Sequence, residues 1–199
     1  CDLVTDFGFN VLWHPSLGME LGDNLKQMLQ DCVSGKIKLD IFCFEGSVVN
    51  APNGTGEWNR FAGRPMKDWV RELSDVADFV VGLGDCATWG GIPATAPNPS
   101  DSQGLQFLKR DHGGFLGKEF RAKSGLPVIN IPGCPCHPDW VTQILVGVAT
   151  GNAGAITLDE FQRPKTFFQS FTRSRTQFST KRGVPTGVPV TIIPSYLCS

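Results

Sequence analysis

Nowhere in this chain do about 18 consecutive apolar residues occur, the length that carries a helix across a bilayer. A membrane-spanning segment is therefore not expected within these residues. A surplus of either charge is missing too: 18 Lys and Arg stand against 19 Asp and Glu, a formal net charge of −1. That leaves no electrostatic case for a nucleic-acid partner or an anionic membrane surface. Histidine is scarce, with three residues in all, and no Ser-His-Asp arrangement is supported by spacing. Few acid–base candidates remain, so the chemistry points to electron transfer through a cofactor rather than to side-chain catalysis. There is no basic segment followed by an apolar run at the start, no internal repeat and no low-complexity tract. What is present is ordinary globular composition, 41% hydrophobic and 19% charged over 199 residues. That length suits one domain burying roughly 70% of its unfolded surface.

Cysteine is the residue in surplus. There are seven, an odd number, scattered through apolar stretches rather than spaced as a secreted framework. A reducing, cytoplasmic compartment is expected, with thiols free or metal-bound.

Hydrophobic periodicity gives an alternation of strands and helices. Val11 to Trp13 reads as a first strand, and Asp23 to Val33 as a helix with Leu25, Met28, Leu29 and Cys32 on one face, stopped at Gly35. Leu39 to Phe44 is a near-continuous apolar run ending in Glu45-Gly46-Ser47, as a buried parallel strand would end. Asn50 to Gly56 is turn chemistry, and Pro65 opens a helix whose face is Trp69, Val70, Leu73 and Ala77. Phe79 to Leu83 is a further strand. Residues 93–104 read as a surface excursion and 103–109 as a short helix. Val128 to Ile131 is the next strand, followed by a helix over 138–150. Strand and helix in alternation predict an α/β fold, a mostly parallel sheet with helices on both faces.

Two cysteines stand where such strands run out into glycine-rich turns. Cys86 lies in Gly84-Asp85-Cys86-Ala87-Thr88-Trp89-Gly90-Gly91, and Cys134 in Pro132-Gly133-Cys134-Pro135-Cys136. Open parallel sheets bind ligands beyond the carboxyl ends of their strands, so both thiols belong to one rim. Thiolates converging there select zinc, copper(I) or an iron–sulfur cluster. The glycines let backbone approach a bulky ligand closely. Cys32 and Cys43 read as packing residues, and Cys136 as turned away from Cys134 by the one-residue spacer. His137 either ligates metal or caps the helix that follows it, and Glu45 either relays protons or is a solvated carboxylate. Gly82-Leu83-Gly84-Asp85 lacks the full spacing and downstream acid of a dinucleotide fingerprint.

The segments Glu45-Gly46-Ser47, Gly84 to Ile92 and Ile131 to Pro135 resemble the small subunit of nickel–iron hydrogenases. Trp13 to Gly18 and Asn53 to Pro65 are similar to a cyanobacterial-type uptake subgroup related to hydrogen-sensing hydrogenases. The resemblance runs over residues 1–172. It implies a flavodoxin-like three-layer domain and a proximal [4Fe-4S] cluster with Cys86 and Cys134 as two of its ligands. It also implies a large-subunit partner holding a nickel–iron centre where hydrogen is oxidised, Glu45 near the subunit contact, and a downstream electron acceptor. Any membrane association would then run through the complex. A hydrogen-sensing or scaffolding subunit, or an iron–sulfur subunit of a quinone oxidoreductase, would share much of the pattern.

The match has limits. Members of the family begin with a strand and a cysteine-bearing loop that supply further proximal ligands, so the first strand of the fold and part of the ligand set are expected to be missing here. After Thr172 the match ends: residues 173–182 carry four basic residues and no acid, and 173–199 are expected to form an irregular tail. A shifted reading frame or a fragment would produce that loss.

Overall fold

The computed structural model describes residues 2–168, together with the strand over 188–194. Its centre is a five-stranded sheet built from β1 (Phe9–Trp13), β2 (Ile41–Glu45), β3 (Phe79–Leu83), β4 (Ile129–Ile131) and β5 (Val188–Pro194). Every pairing is parallel, and the order across the sheet is β1-β5-β2-β3-β4. The main helices are α1 (Gly22–Val33), α2 (Met66–Val76), α3 (Gly84–Trp89) and α4 (Pro138–Ala149).

Strand alternation sorts the core into two halves. From β2, Phe42 and Phe44 join Leu25, Leu29, Trp69, Val70 and Leu73 of α1 and α2 on one face of the sheet. Ile41 and Cys43, their immediate neighbours, join Ile144, Leu145 and Val148 of α4 on the other. β3 repeats the pattern, with Val80 on the first side and Val81 on the second. The result is the parallel sheet with helices on both faces that the alternation of elements implied, in the flavodoxin-like form that the resemblance implied. Helix ends follow the local chemistry: Ser34 closes α1 ahead of Gly35 at φ 79°, and Pro65 stands as N-cap of α2.

Three expectations are corrected. Residues 103–109 are not helical; Ser102–Gln103 pairs antiparallel with Val48–Val49, and Phe107–Leu108 with Asp111–His112. Between these short ladders Gln106 is fully buried: its amide donates to the carbonyls of Gly117 and Phe120 and accepts from Val128 N–H. Long-range partners override local helix propensity here. Nor is 93–104 only a surface excursion, because Ala94 and Ser102 are buried.

The third correction concerns the tail and the sheet's centre. Val188–Pro194, expected in an irregular tail, is a seven-residue strand lying between β1 and β2. The run is rich in β-branched residues, which favours a strand, and its prolines argue against one. Residues 169–187 and 195–199, including the basic stretch 173–182, lie outside the described residues.

Candidate metal-cluster rim

The carboxyl ends of four strands stand level. Pro194 pairs with Glu45, Glu45 with Leu83, and Leu83 with Ile131. Two of these ends lead at once into the cysteine segments. Gly84, at φ 83°, turns the chain from β3 into α3, and Cys86 sits in the first turn of that helix, 8% exposed. After β4, Gly133, at φ 143°, opens the loop that carries Cys134, which is exposed, and Cys136, which is half-buried.

A residue passed over in the sequence joins the two segments. Asp85 N–H donates to the Gly133 carbonyl at 3.1 Å, and Asp85 Oδ1 accepts from Gly133 N–H at 3.0 Å. This reciprocal pair holds the loop of Cys134 against the start of the Cys86 helix. The signal was available as an Asp between a strand-end Gly and a Cys, but without the partner loop it has no meaning.

Glycine makes the closeness possible. A Cβ on Gly91 would lie 2.4 Å from the Cys86 Sγ, and one on Gly133 would lie 2.8 Å from the Cys136 Cα. Gly90, at φ 90°, ends α3 with its N–H on the Cys86 carbonyl at 2.9 Å. Thr88 fixes the same helix by donating to the Gly84 carbonyl at 2.9 Å.

Cys136 lies near Glu45, Asp85 and Gly84. Burial raises its thiol pKa, and the Glu45 and Asp85 carboxylates raise it further. Its own N–H and that of Gly84 pull the other way by hydrogen-bonding the sulfur. Glu45 itself is exposed. His137 takes the capping role: its Nδ1 accepts from Asp139 N–H at 3.3 Å as N-cap of α4.

Cys32 and Cys43 are the packing residues that the pattern implied, 1% and 0% exposed. Burial pushes the Cys32 thiol up to about 11, with Asp31 adding to it, and pushes the Cys43 thiol up as well. A thiol held neutral in the folded state favours folding until the unfolded thiol ionises. Its contribution is complete below pH 9.0 and disappears as the pH climbs from there towards 11. Urea denaturation at pH 8 to 11 is expected to show stability falling across that window, with a shallower fall in Cys32→Ala. An identical slope in the variant would remove Cys32 as a cause. At pH 8 the exposed Cys134 is expected to react with a thiol reagent about 100-fold faster than either buried thiol.

A [4Fe-4S] cluster takes four thiolates. Among the described residues no group of three or more His, Cys, Asp or Glu converges on one point. The soft donors and the glycine-lined approach suit such a centre, but the described residues do not bring a full ligand set together.

The family model for the NADH ubiquinone oxidoreductase 20 Kd subunit matches residues 1–148. The chain belongs to this family. Its homologues within the 20 Kd subunit family are small subunits of nickel–iron hydrogenases. It is similar to the F420 non-reducing hydrogenase I small subunit of Methanosarcina mazei, 32% identical over 183 residues, covering 83% of this chain and 47% of that protein. The periplasmic [NiFe] hydrogenase small subunit 1 of Nitratidesulfovibrio vulgaris is 30% identical over 156 residues, covering 78% of this chain and 44% of that protein. Among solved structures, the actinobacterial-type NiFe-hydrogenase from Ralstonia eutropha H16 aligns with a TM-score of 0.64 at 33% identity, covering 76% of this chain and 45% of that one. The chain spans about half the length of the curated relatives that it matches. No helix among the described residues is long and apolar enough to cross a membrane.

Proposed function

We propose that this chain is the electron-transfer small subunit of a nickel–iron hydrogenase, holding part of a proximal [4Fe-4S] cluster through Cys86 and Cys134. A large-subunit partner would carry the nickel–iron centre at which hydrogen is oxidised to protons and electrons. The observation that carries this reading is the reciprocal Asp85–Gly133 hydrogen bonding, which binds the two cysteine segments together at one strand-end rim. When bound, the cluster supplies one-electron storage and transfer. The protein's part is to place the thiols: Cys86 is fixed by its helix, Cys134 by the Asp85 clamp, and Gly91 leaves the Cys86 sulfur uncrowded.

Exposed apolar residues support the partner. Leu17, Met19 and Leu21 are 65%, 93% and 74% exposed in the loop leaving the carboxyl end of β1. Ile92, just past α3, is 80% exposed. Large apolar side chains left in water on the side of the sheet that bears the cysteines favour a protein contact there. A cytoplasmic location, with any membrane association made through the complex, is supported by the buried neutral thiols of Cys32 and Cys43. The Nitratidesulfovibrio relative is named as periplasmic.

Anaerobic reconstitution with iron and sulfide, read by iron quantification and EPR, tests the assignment. Expressed by itself, the chain is expected to retain well under four iron atoms per molecule, and Cys86→Ser with Cys134→Ser to abolish what it retains. Iron retention unchanged in the double variant would overturn the ligand assignment. Near-stoichiometric four-iron loading of the wild-type chain would promote Cys136 or His137 to ligand.

A further inference from the structure

β4 is the last strand in the sheet order, and a tight turn over residues 158–164 closes its outer edge. The turn is bridged between Leu158 and Pro164, and the Asp159 carboxylate accepts from the N–H groups of Phe161 and Arg163 at 3.0 and 2.8 Å. Gln162 meets the strand: its carbonyl accepts from Asn130 N–H at 2.9 Å, while Asn130 Nδ2 donates to the Phe161 carbonyl at 3.0 Å. Gln162 is strained, with φ 60°, a left-handed conformation that a non-glycine residue keeps only when its surroundings hold it there. It is 7% exposed, yet its Oε1 has no hydrogen-bond partner among the described residues. Asn130, fully buried, carries a second orphan acceptor in Oδ1. Buried carbonyl oxygens without a donor are uncommon and costly. Here two stand on residues that are hydrogen-bonded to each other.

The remaining contact of Gln162 is with a titratable group. Its Nε2 lies 3.1 Å from Nε2 of His112, whose ring stacks on Phe107 with centroids 4.6 Å apart and planes 14° apart. An amide nitrogen has only hydrogens to offer, so the contact requires a ring nitrogen with a free lone pair. That is a neutral imidazole with its proton on Nδ1. His112 is exposed, so solvent protons reach it. Once its Nε2 is protonated, two donors face each other and the contact is lost. Half a turn of the Gln162 amide exchanges two groups of nearly equal size and brings the orphan Oε1 to the ring N–H. The bond so formed is charge-assisted, and stronger than the neutral one that it replaces. The inward amide position then holds a donor, and Asn130 has an unused acceptor.

The charges on the neighbouring elements balance. Lys109, Arg110 and Asp111 lie on the hairpin of His112, and Asp159, Glu160 and Arg163 on the turn. Asp159 and Arg163 are paired with each other. α3, which packs on Phe107 through Trp89, brings Asp85, already engaged with Gly133. The imidazole makes no hydrogen bond to any of these groups among the described residues.

We propose that His112 and Gln162 form a pH-sensitive latch on the outer edge of β4: proton uptake by His112 turns the Gln162 amide and tightens the 158–164 turn against Asn130. The tighter state is the protonated one. Its hold on β4 is therefore complete on the acid side of the imidazole titration and relaxes as the pH rises through it. β4 runs directly into the loop of Gly133 and Cys134, so the latch bears on the strand that carries one cysteine segment.

NMR of the full chain, labelled with nitrogen-15, tests this between pH 5.5 and 8. At pH 8 the His112 ring should carry its proton on Nδ1 alone, and at pH 5.5 on both nitrogens, with the Gln162 side-chain amide shifting at the same midpoint. Amide hydrogen exchange, corrected for the intrinsic effect of pH, should show Asn130 N–H roughly tenfold better protected at pH 5.5 than at pH 8. His112→Phe keeps the stack on Phe107 and removes both nitrogens, so that ratio should fall to unity. His112→Gln, which cannot titrate, should give the same unity. A ring proton on Nε2 at pH 8 overturns the latch. So does equal Asn130 protection at the two pH values, or a tenfold ratio that persists in His112→Phe. None of these readouts depends on iron, so they stand apart from the hydrogenase reading.

Discussion

Alanine at Gly91 is expected to destabilise the protein by about 2–4 kcal/mol, a large effect for one added methyl group. Two penalties coincide. Gly91 has φ 57° and ψ −150°, a backbone conformation that L-residues avoid at a cost of about 1–3 kcal/mol. The new Cβ would also lie 2.4 Å from the Cys86 Sγ, 2.9 Å from its Cα and 3.1 Å from its nitrogen. The last two are backbone contacts that cannot swing aside, and overpacking of that kind costs about 1–3 kcal/mol. Gly35 is the control: its φ is 79°, but nothing lies within 4 Å of an added Cβ. Gly35→Ala should therefore cost only about 1–2 kcal/mol, the left-handed strain alone. Urea denaturation of both variants separates the two contributions. Equal losses would mean that the close approach to Cys86 is relieved by movement of the helix, and that glycine there is required by φ only.

That site was half legible in the sequence. Strand ends followed by glycine announce a ligand-binding rim in a parallel sheet, and both cysteines were placed on it from their neighbours alone. Asp85 was not, because its partner Gly133 lies 48 residues away and a hydrogen bond between two loops leaves no periodic trace. The surroundings of Cys136 were hidden for a related reason. A one-residue spacer turns side chains apart in an extended strand, but this loop is pinned at Gly133 and brings Cys136 back towards Gly84 and Glu45. The elements of the fold were legible where burial imposes a period, as in α2 and β3. They were lost where pairing is long-range. Gln103 to Lys109 has the composition of a short helix, yet Gln106 is held by Gly117, Phe120 and Val128. The tail strand was hidden by its own prolines, which argue against a central strand but which the sheet accommodates at Pro189 and Pro194.

Trp69→Ala should show the largest loss of any single substitution considered, about 3–5 kcal/mol. Trp69 is fully buried in the core half beneath α1 and α2, against the same sheet face as Phe42 and Phe44. It also fastens a strap: its Nε1 donates to the Phe61 carbonyl at 2.9 Å, and the Arg64 guanidinium lies 3.7 Å above its ring. Phe61 in turn packs on Trp13 at the end of β1, with ring centroids 5.2 Å apart. Truncation to alanine opens a cavity, strands the Phe61 carbonyl and leaves Arg64, ion-paired with Glu72, without its aromatic platform. Against a typical stability of about 5–15 kcal/mol that is a large fraction. Trp69→Phe keeps most of the volume and loses the indole donor, so about 1–2 kcal/mol is expected. If both variants lost the same amount, the hydrogen bond to the strap, not the packing, would dominate. The rim offers an internal check. Asp85 and Gly133 bond to each other at the β3 and β4 strand ends, and neither bonds to the strap residues Phe61 and Arg64. Reactivity of Cys134 in folded Trp69→Phe should therefore match the wild type, and an altered rate would mean that the α1–α2 layer helps to position the cysteine rim.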